Sequence, residues 1–185
     1  MDDFSRFILA WVLKGDMTAG SLIDAVQEAV DRTGMTGVPV EDRTKLLTDN
    51  GSGYVSRTFR DYLQLVGIRH ILSAPFHPQT NGKLERYHQT LKREVNQVPY
   101  EVPADLETAL AGFVGYYNFR RYHQALGDVT PADVLEGRRE QILQHRKEVQ
   151  TLTILQRRRY NSTAREFTQD PDPSWFSGPK LSHYR

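Results

Sequence analysis

The stretch Thr44-Lys-Leu-Leu-Thr48-Asp49-Asn50-Gly51-Ser52-Gly53-Tyr54 decides the reading of the fold. Residues 44–48 form a short apolar run and predict a strand. Asn50-Gly51 breaks it at once, because both residues accept the left-handed backbone of a tight turn. Asp49 thus ends a strand and opens a turn. Its side chain should project at the C-terminal edge of a sheet, the edge where α/β folds place ligands. Just downstream, Ser56 can cap a helix carrying Phe59, Leu63 and Val66, and Gly67 sits where a C′ residue belongs. Residues 68–73 then read as another strand.

Working outward, residues 4–13 (FSRFILAWVL) are apolar, β-branched or aromatic enough for a buried strand that ends at Lys14-Gly15-Asp16. Thr18 or Ser21 can cap a helix in which Leu22, Ala25, Val26, Ala29 and Val30 recur at helical spacing. Gly34 and Gly37-Val38-Pro39 stop it. On the other side, residues 74–82 are too rich in Pro and Gly for regular structure. A helix follows from Lys83 with Leu84, Tyr87, Leu91 and Val95 as its apolar stripe. Another is expected from about Asp105 to Tyr122, with Leu106, Leu110, Phe113, Val114 and Tyr117 facing in. Thr130-Pro131 is a cap followed by proline at the first helical position. Residues 138–159 predict one more, basic helix, and the Pro-rich polar chain after Asn161 reads as a disordered tail. Strands alternating with helices argue for α/β.

The chain has 185 residues, 38% hydrophobic and 25% charged, with no cysteine. Disulfides, thiolate zinc sites and cysteine nucleophiles are excluded. No apolar run approaches the roughly 20 residues that span a bilayer, and no secretory pattern opens the chain. A cytoplasmic protein is the expectation. The net charge of +1 hides an asymmetry. Residues 1–137 hold 14 Lys+Arg against 18 Asp+Glu, while 138–185 hold 10 against 5. Two parts are therefore expected: a core of residues 1–137 and a basic extension of residues 138–185. The extension is the part suited to a polyanion, and Arg138-Arg139, Arg146-Lys147 and Arg157-Arg158-Arg159 are its clusters.

Two carboxylates stand out by position, Asp49 and Glu85. Glu85 opens the helix after the Pro/Gly loop, and Glu85, His88, Gln89 and Lys92 share one helix face at i, i+3, i+4 and i+7. Oxygen ligands suit a hard divalent cation, and a lysine two turns along suits phosphate. Each residue also has an ordinary explanation. An acid in a first turn complements the helix dipole, and an Asp before Asn-Gly serves the turn. Glu85-x-x-His88 mimics half of a di-iron bundle motif, but one copy in α/β surroundings carries little weight.

Thr48-Asp49-Asn50-Gly51-Ser52-Gly53-Tyr54, followed by Pro75-x-x-Pro78-Gln79-Thr80-Asn81-Gly82-Lys83-Leu84-Glu85-Arg86, resembles the integrase catalytic core of bacterial insertion-sequence transposases and retroviral integrases. The 35 residues between Asp49 and Glu85 match that family's spacing of its last two catalytic acids. Tyr117-Asn118-x-x-Arg121-x-His123-x-x-Leu126-x-x-x-Thr130-Pro131 looks like the segment that closes the domain in these transposases. Asp3-Phe4-Ser5-Arg6 is similar to the stretch where the family's second strand turns into its third.

The resemblance implies an RNase H-like mixed sheet flanked by helices, acting in DNA transposition or integration by metal-dependent phosphodiester cleavage and strand transfer. It implies a triad of two aspartates and a glutamate around two Mg²⁺ or Mn²⁺ ions, DNA ends, target DNA and further copies of the chain as partners, and a nucleoid-associated place in the cytoplasm. By the resemblance Asp49 and Glu85 are catalytic metal ligands, while Asn50, Arg86, Lys92 and Arg93 contact DNA. The family's first aspartate lies on a strand upstream of the segment resembling Asp3-Phe4-Ser5-Arg6, so a sheet lacking its first strand and a weakened metal site are expected. Asp2 and Asp3 fall where the family has a non-catalytic turn. The alternative reading is a non-catalytic DNA-binding remnant of a transposase.

Overall fold

A computed structural model describes residues 1–73, 82–97 and 99–168. The chain divides into two compact units, Met1–Arg139 and Glu140–Arg185.

In the first unit, helix α1 (Ala19–Thr33) starts where the sequence offered two caps, and Thr18 is the one used. Its hydroxyl accepts from Ser21 N–H at 3.3 Å. Asp16 supports that cap by accepting from the Ser21 and Thr18 hydroxyls at 2.6 and 2.8 Å, bonds that hold its carboxyl below the usual range. Strand β1 (Lys45–Thr48), helix α2 (Arg57–Leu65) and strand β2 (Arg69–Leu72) form a parallel β-α-β unit, registered from Lys45 opposite Arg69 to Thr48 opposite Leu72. A parallel pair needs a crossover of this kind, since no hairpin can join two strands running the same way. Ser56 caps α2 by accepting from Phe59 N–H at 3.2 Å. Gly67 ends the turn after α2 at φ +64°, and a Cβ there would lie 2.9 Å from Nη1 of Arg43. That guanidinium is committed: it donates to the carbonyls of Val66, Val38 and Thr36 at 2.7, 2.8 and 3.0 Å. Val30, Phe59, Leu63 and Ile68 bury the core of this half. Each such side chain contributes about 1.5–3 kcal/mol on leaving water.

Helices α3 (Gly82–Val95) and α4 (Pro103–Phe119), with Ile8 from the amino-terminal segment, build a second core from Ile8, Tyr87, Val95, Phe113, Val114 and Tyr117, and helix α5 (Pro131–Leu135) packs against α4. Thr130 and Asp133 form a reciprocal capping box at the start of α5, and proline fills its first turn. Burial pushes the Tyr87 hydroxyl up to about 12, so this phenol is a core group and not an acid–base one.

Three expectations change. Residues 4–13 do not form a strand; among the described residues the sheet is the two-stranded β1–β2 pair. The segment instead opens with a turn, Asp2 N–H donating to Phe7 O at 2.8 Å and Arg6 N–H to Asp2 O at 3.0 Å, with Arg6 at φ +67°. Apolar sequence alone does not make a ladder, because a ladder needs backbone partners. The stripe of α3 is also shifted: Tyr87 and Val95 are buried with Leu91 packed beside them, while Leu84 is exposed. Helix α6 (Arg139–Thr168) runs past Asn161, so the first residues of the expected tail are helical. Nothing between Arg139 and Thr168 is Pro or Gly, and the interior of a helix is broken chiefly by those two. The expected loop of residues 74–82 lies outside the described residues except for Gly82, as does the tail from residue 169.

Candidate active site at the edge of the parallel strands

Asp49 leaves the C-terminal end of β1 exposed to solvent, as its position predicts. One of its oxygens, Oδ1, accepts from Gly51 N–H at 2.9 Å. The turn chemistry therefore occupies one oxygen and leaves the other for a ligand. Asn50 is drawn inward on its donor side: Nδ2 donates to the carbonyl of Ser73 at 3.0 Å, tying the end of β1 to the end of β2. This bond gives Asn50 a structural task at the position where the resemblance implied a DNA contact. Thr48 is buried beside it, with its hydroxyl 2.8 Å from His70 Nε2. Burial, then the Arg60 charge, pushes His70 below the ordinary imidazole value, favouring the neutral ring.

The turn is pinned from below by a residue the sequence reading did not single out. A Cβ on Gly53 would stand 2.6 Å from Leu22 Cδ1 and 2.7 Å from the Met17 carbonyl oxygen. Only glycine lets this loop pack against the start of α1. The signal was present in the second glycine of Asn50-Gly51-Ser52-Gly53, but its meaning depends on a neighbour 31 residues earlier in the chain. Tyr54 completes the floor, edge-on to Phe59 at 5.4 Å. Burial, and next the Asp49 charge, raises its hydroxyl above the ordinary phenol value.

Glu85 sits in the first turn of α3, exposed, with Arg86, His88, Gln89, Lys92 and Arg93 also exposed along the helix. Lys92 and Arg93 occupy its last turn, where cations oppose the dipole. His88 stacks edge-on to Tyr87 at 5.4 Å, and the partial cover of its ring, followed by the Lys92 charge, lowers its affinity for a proton although the residue as a whole remains exposed. The start of α3 is tied to the amino-terminal turn: Lys83 Nζ donates to Asp3 Oδ2 at 2.7 Å and to the Asp3 carbonyl at 3.2 Å. Asp2 accepts from both Ser5 N–H and the Ser5 hydroxyl, at 2.7 and 2.6 Å. Both early aspartates are thus engaged in holding the turn.

The structure brings Glu85 and the α3 cations onto one helix and places Asp49 at the sheet edge. Among the described residues no group of three or more His, Asp or Glu side chains comes together as a metal cluster. The donor set still has the right chemistry for one hydrated Mg²⁺ or Mn²⁺. Asp49 keeps an oxygen outside its turn bond, Glu85 is an exposed carboxylate, and Mg²⁺ is commonly held by one or two carboxylates with water completing its shell.

Two family models, each described as integrase core domain, match residues 1–78 and 66–131. The transposase of insertion sequence element IS986/IS6110 from Mycobacterium tuberculosis is 30% identical over 135 residues, covering 72% of this chain and 49% of the relative. The Gag-Pro-Pol polyprotein of squirrel monkey retrovirus is 34% identical over 98 residues, 53% of this chain and 5% of that protein. The chain spans about half the length of the transposase relatives it matches. Among solved structures, the catalytic core domain of BIV integrase superposes with a TM-score of 0.53 at 22% identity, over 75% of this chain and 84% of that one. That likeness establishes an integrase-core, RNase H-like fold built around a small parallel sheet.

Proposed function

The chain belongs to the integrase core domain family, and from that membership we propose that it acts on DNA phosphodiesters in transposition or integration, with Asp49 and Glu85 as the carboxylates that hold a divalent cation. The observation that carries this reading is the placement of the two acids. Asp49 stands at the C-terminal edge of the β1–α2–β2 unit with one oxygen outside its turn bond, and Glu85 lies exposed in the first turn of α3. When bound, such an ion supplies Lewis-acid stabilisation of phosphodiester oxygens and lowers the pKa of a coordinated water.

The protein's own residues prepare the site. Gly51 N–H fixes the rotamer of Asp49, and Asn50 locks the two strand ends together so that the acid stands on a rigid edge. Arg86, Lys92 and Arg93 line α3 as cations for phosphate on either side of the scissile bond. A second copy of the chain and DNA ends are the partners this reading requires. Among the described residues no helix is long and apolar enough to cross a membrane.

The test is nicking of supercoiled plasmid with Mn²⁺. Nicking abolished by Asp49→Asn and by Glu85→Gln supports the reading. DNA bound but left intact under every metal condition replaces it with the second reading, a non-catalytic DNA-binding protein. One observation favours that second reading: among the described residues, no three His, Asp or Glu side chains gather where they could share a metal ion.

A further inference from the structure

Helix α6 is a 30-residue helix, and between residues 141 and 165 its one acidic side chain is Glu148. With 3.6 residues per turn, positions eleven apart return to the same side after three turns, about 16 Å along the axis. Arg146 and Arg157 therefore form one row, and Lys147 and Arg158 form a second row about 100° around the helix. All four are exposed, and among the described residues Lys147, Arg157 and Arg158 are in no salt bridge. The strip bracketed by the two rows presents Gln150, Ile154 and Asn161, all exposed and spaced i, i+4 and i+11.

Two cation rows flanking a strip of amide and methyl groups match one polyanion in particular. The major groove of B-form DNA is about 12 Å wide, takes an α-helix, and has phosphates on both walls and base edges on its floor. We propose that α6 seats in the DNA major groove, with Arg146 and Arg157 toward one phosphate wall, Lys147 and Arg158 toward the other, and Gln150, Ile154 and Asn161 against the base edges. Gln and Asn are the side chains that pair bidentately with adenine, and an aliphatic group packs on the thymine methyl. A lipid surface is a poorer fit, because a membrane-seated helix puts a continuous apolar face between its cation rows. Duplex RNA is poorer too, because its major groove is too deep and narrow for side chains to read. The inference goes beyond the catalytic reading and uses none of its residues.

The experiment is fluorescence anisotropy of the full chain on a panel of B-form duplexes in EDTA, so that cleavage plays no part and loss of the catalytic reading leaves the result untouched. Far-UV circular dichroism of each variant checks that α6 remains helical. Each phosphate contact contributes a factor of about [salt] to the power −0.9, so Arg157→Gln with Arg158→Gln should weaken binding roughly 30-fold near 0.15 M salt and flatten the log–log slope by about 1.8. Arg159→Gln removes one positive charge from the opposite side of the helix and should leave affinity within about twofold, against the roughly fivefold loss expected of Arg157→Gln alone, since an exposed charge beyond the Debye length is screened. Gln150→Ala with Asn161→Ala should keep the slope and narrow the spread of Kd across sequences at least roughly fivefold. Equal losses from Arg159→Gln and Arg157→Gln overturn the proposal. So does an unchanged spread of Kd in the Gln150/Asn161 variant, and so does binding of duplex RNA or anionic vesicles with the same arginine dependence.

Discussion

Asn118 holds Ile8 by both of its backbone groups: Asn118 Oδ1 accepts from Ile8 N–H at 2.9 Å, and Nδ2 donates to Ile8 O at 3.1 Å. The residues are 110 apart in sequence, and both are buried. One side-chain amide thus does for the extended segment what a neighbouring strand would do in a sheet. Removing it leaves a buried donor and a buried acceptor unsatisfied. Asn118→Ala should destabilise the first unit by about 2–4 kcal/mol, read by urea denaturation, and should speed exchange of the Ile8 amide. A change under about 0.5 kcal/mol would show the pair to be dispensable.

Gly53 and Gly112 make a matched pair for testing the turn below Asp49. Gly53→Ala drives a methyl into a backbone oxygen 2.7 Å away, which cannot rotate aside, and should cost about 1–3 kcal/mol. It should also lower metal affinity by tilting the Asp49 turn. Gly112 lies within α4 with nothing within 4 Å of an added Cβ, so Gly112→Ala should stabilise by about 0.5–1 kcal/mol. Thermal melts of the two variants should move in opposite directions.

Metal binding can be read apart from DNA. Isothermal titration with Mn²⁺ should detect weak binding, because two carboxylates leave most of the coordination shell to water. Asp49→Asn keeps the oxygen that accepts from Gly51 N–H, so the turn survives while the charge is lost. It and Glu85→Gln should each reduce the affinity, and the double variant should remove it. Identical titrations of wild type and double variant would eliminate these acids as ligands.

His123 gives stability a pH dependence. Its ring is edge-on to Tyr117 at 4.8 Å, and its Nε2 is buried with no hydrogen-bond partner. Burial, then the charges of Arg121 and Arg6, lowers its proton affinity in the folded state. The unfolded chain therefore binds the proton more readily, and stability rises with pH across the interval between the two values. The contribution is complete above the unfolded value of about 6.5 and is lost as pH falls from there toward the folded value. Denaturation midpoints should drop on acidification, and His123→Phe should flatten that slope in part, His70 supplying a share of the remainder. An unchanged slope in the variant would assign the effect to other groups.

Much of the chain's local structure was determined by residues acting on their near neighbours. Thr18, Ser56 and Thr130 cap helices because a hydroxyl reaches N–H groups three positions on, and Gly67 turns the chain at φ +64°, the left-handed backbone that a glycine just after a helix favours. The position of Asp49 at a strand end followed in the same way, from the strand run before it and Asn50-Gly51 after it. What depended on distant partners was decided only by the tertiary structure. Residues 4–13 carry a strand's composition, yet the backbone there is held by an asparagine 110 residues away, and no local pattern encodes that meeting. Gly53 is obligatory because α1 packs against it, and Leu84 lost its place in the core to Tyr87 because α4 approaches α3 from that side. Caps and turns are short-range bonds that a sequence states outright. Burial and ladder pairing are relations between segments, and they exist only once the chain has closed on itself.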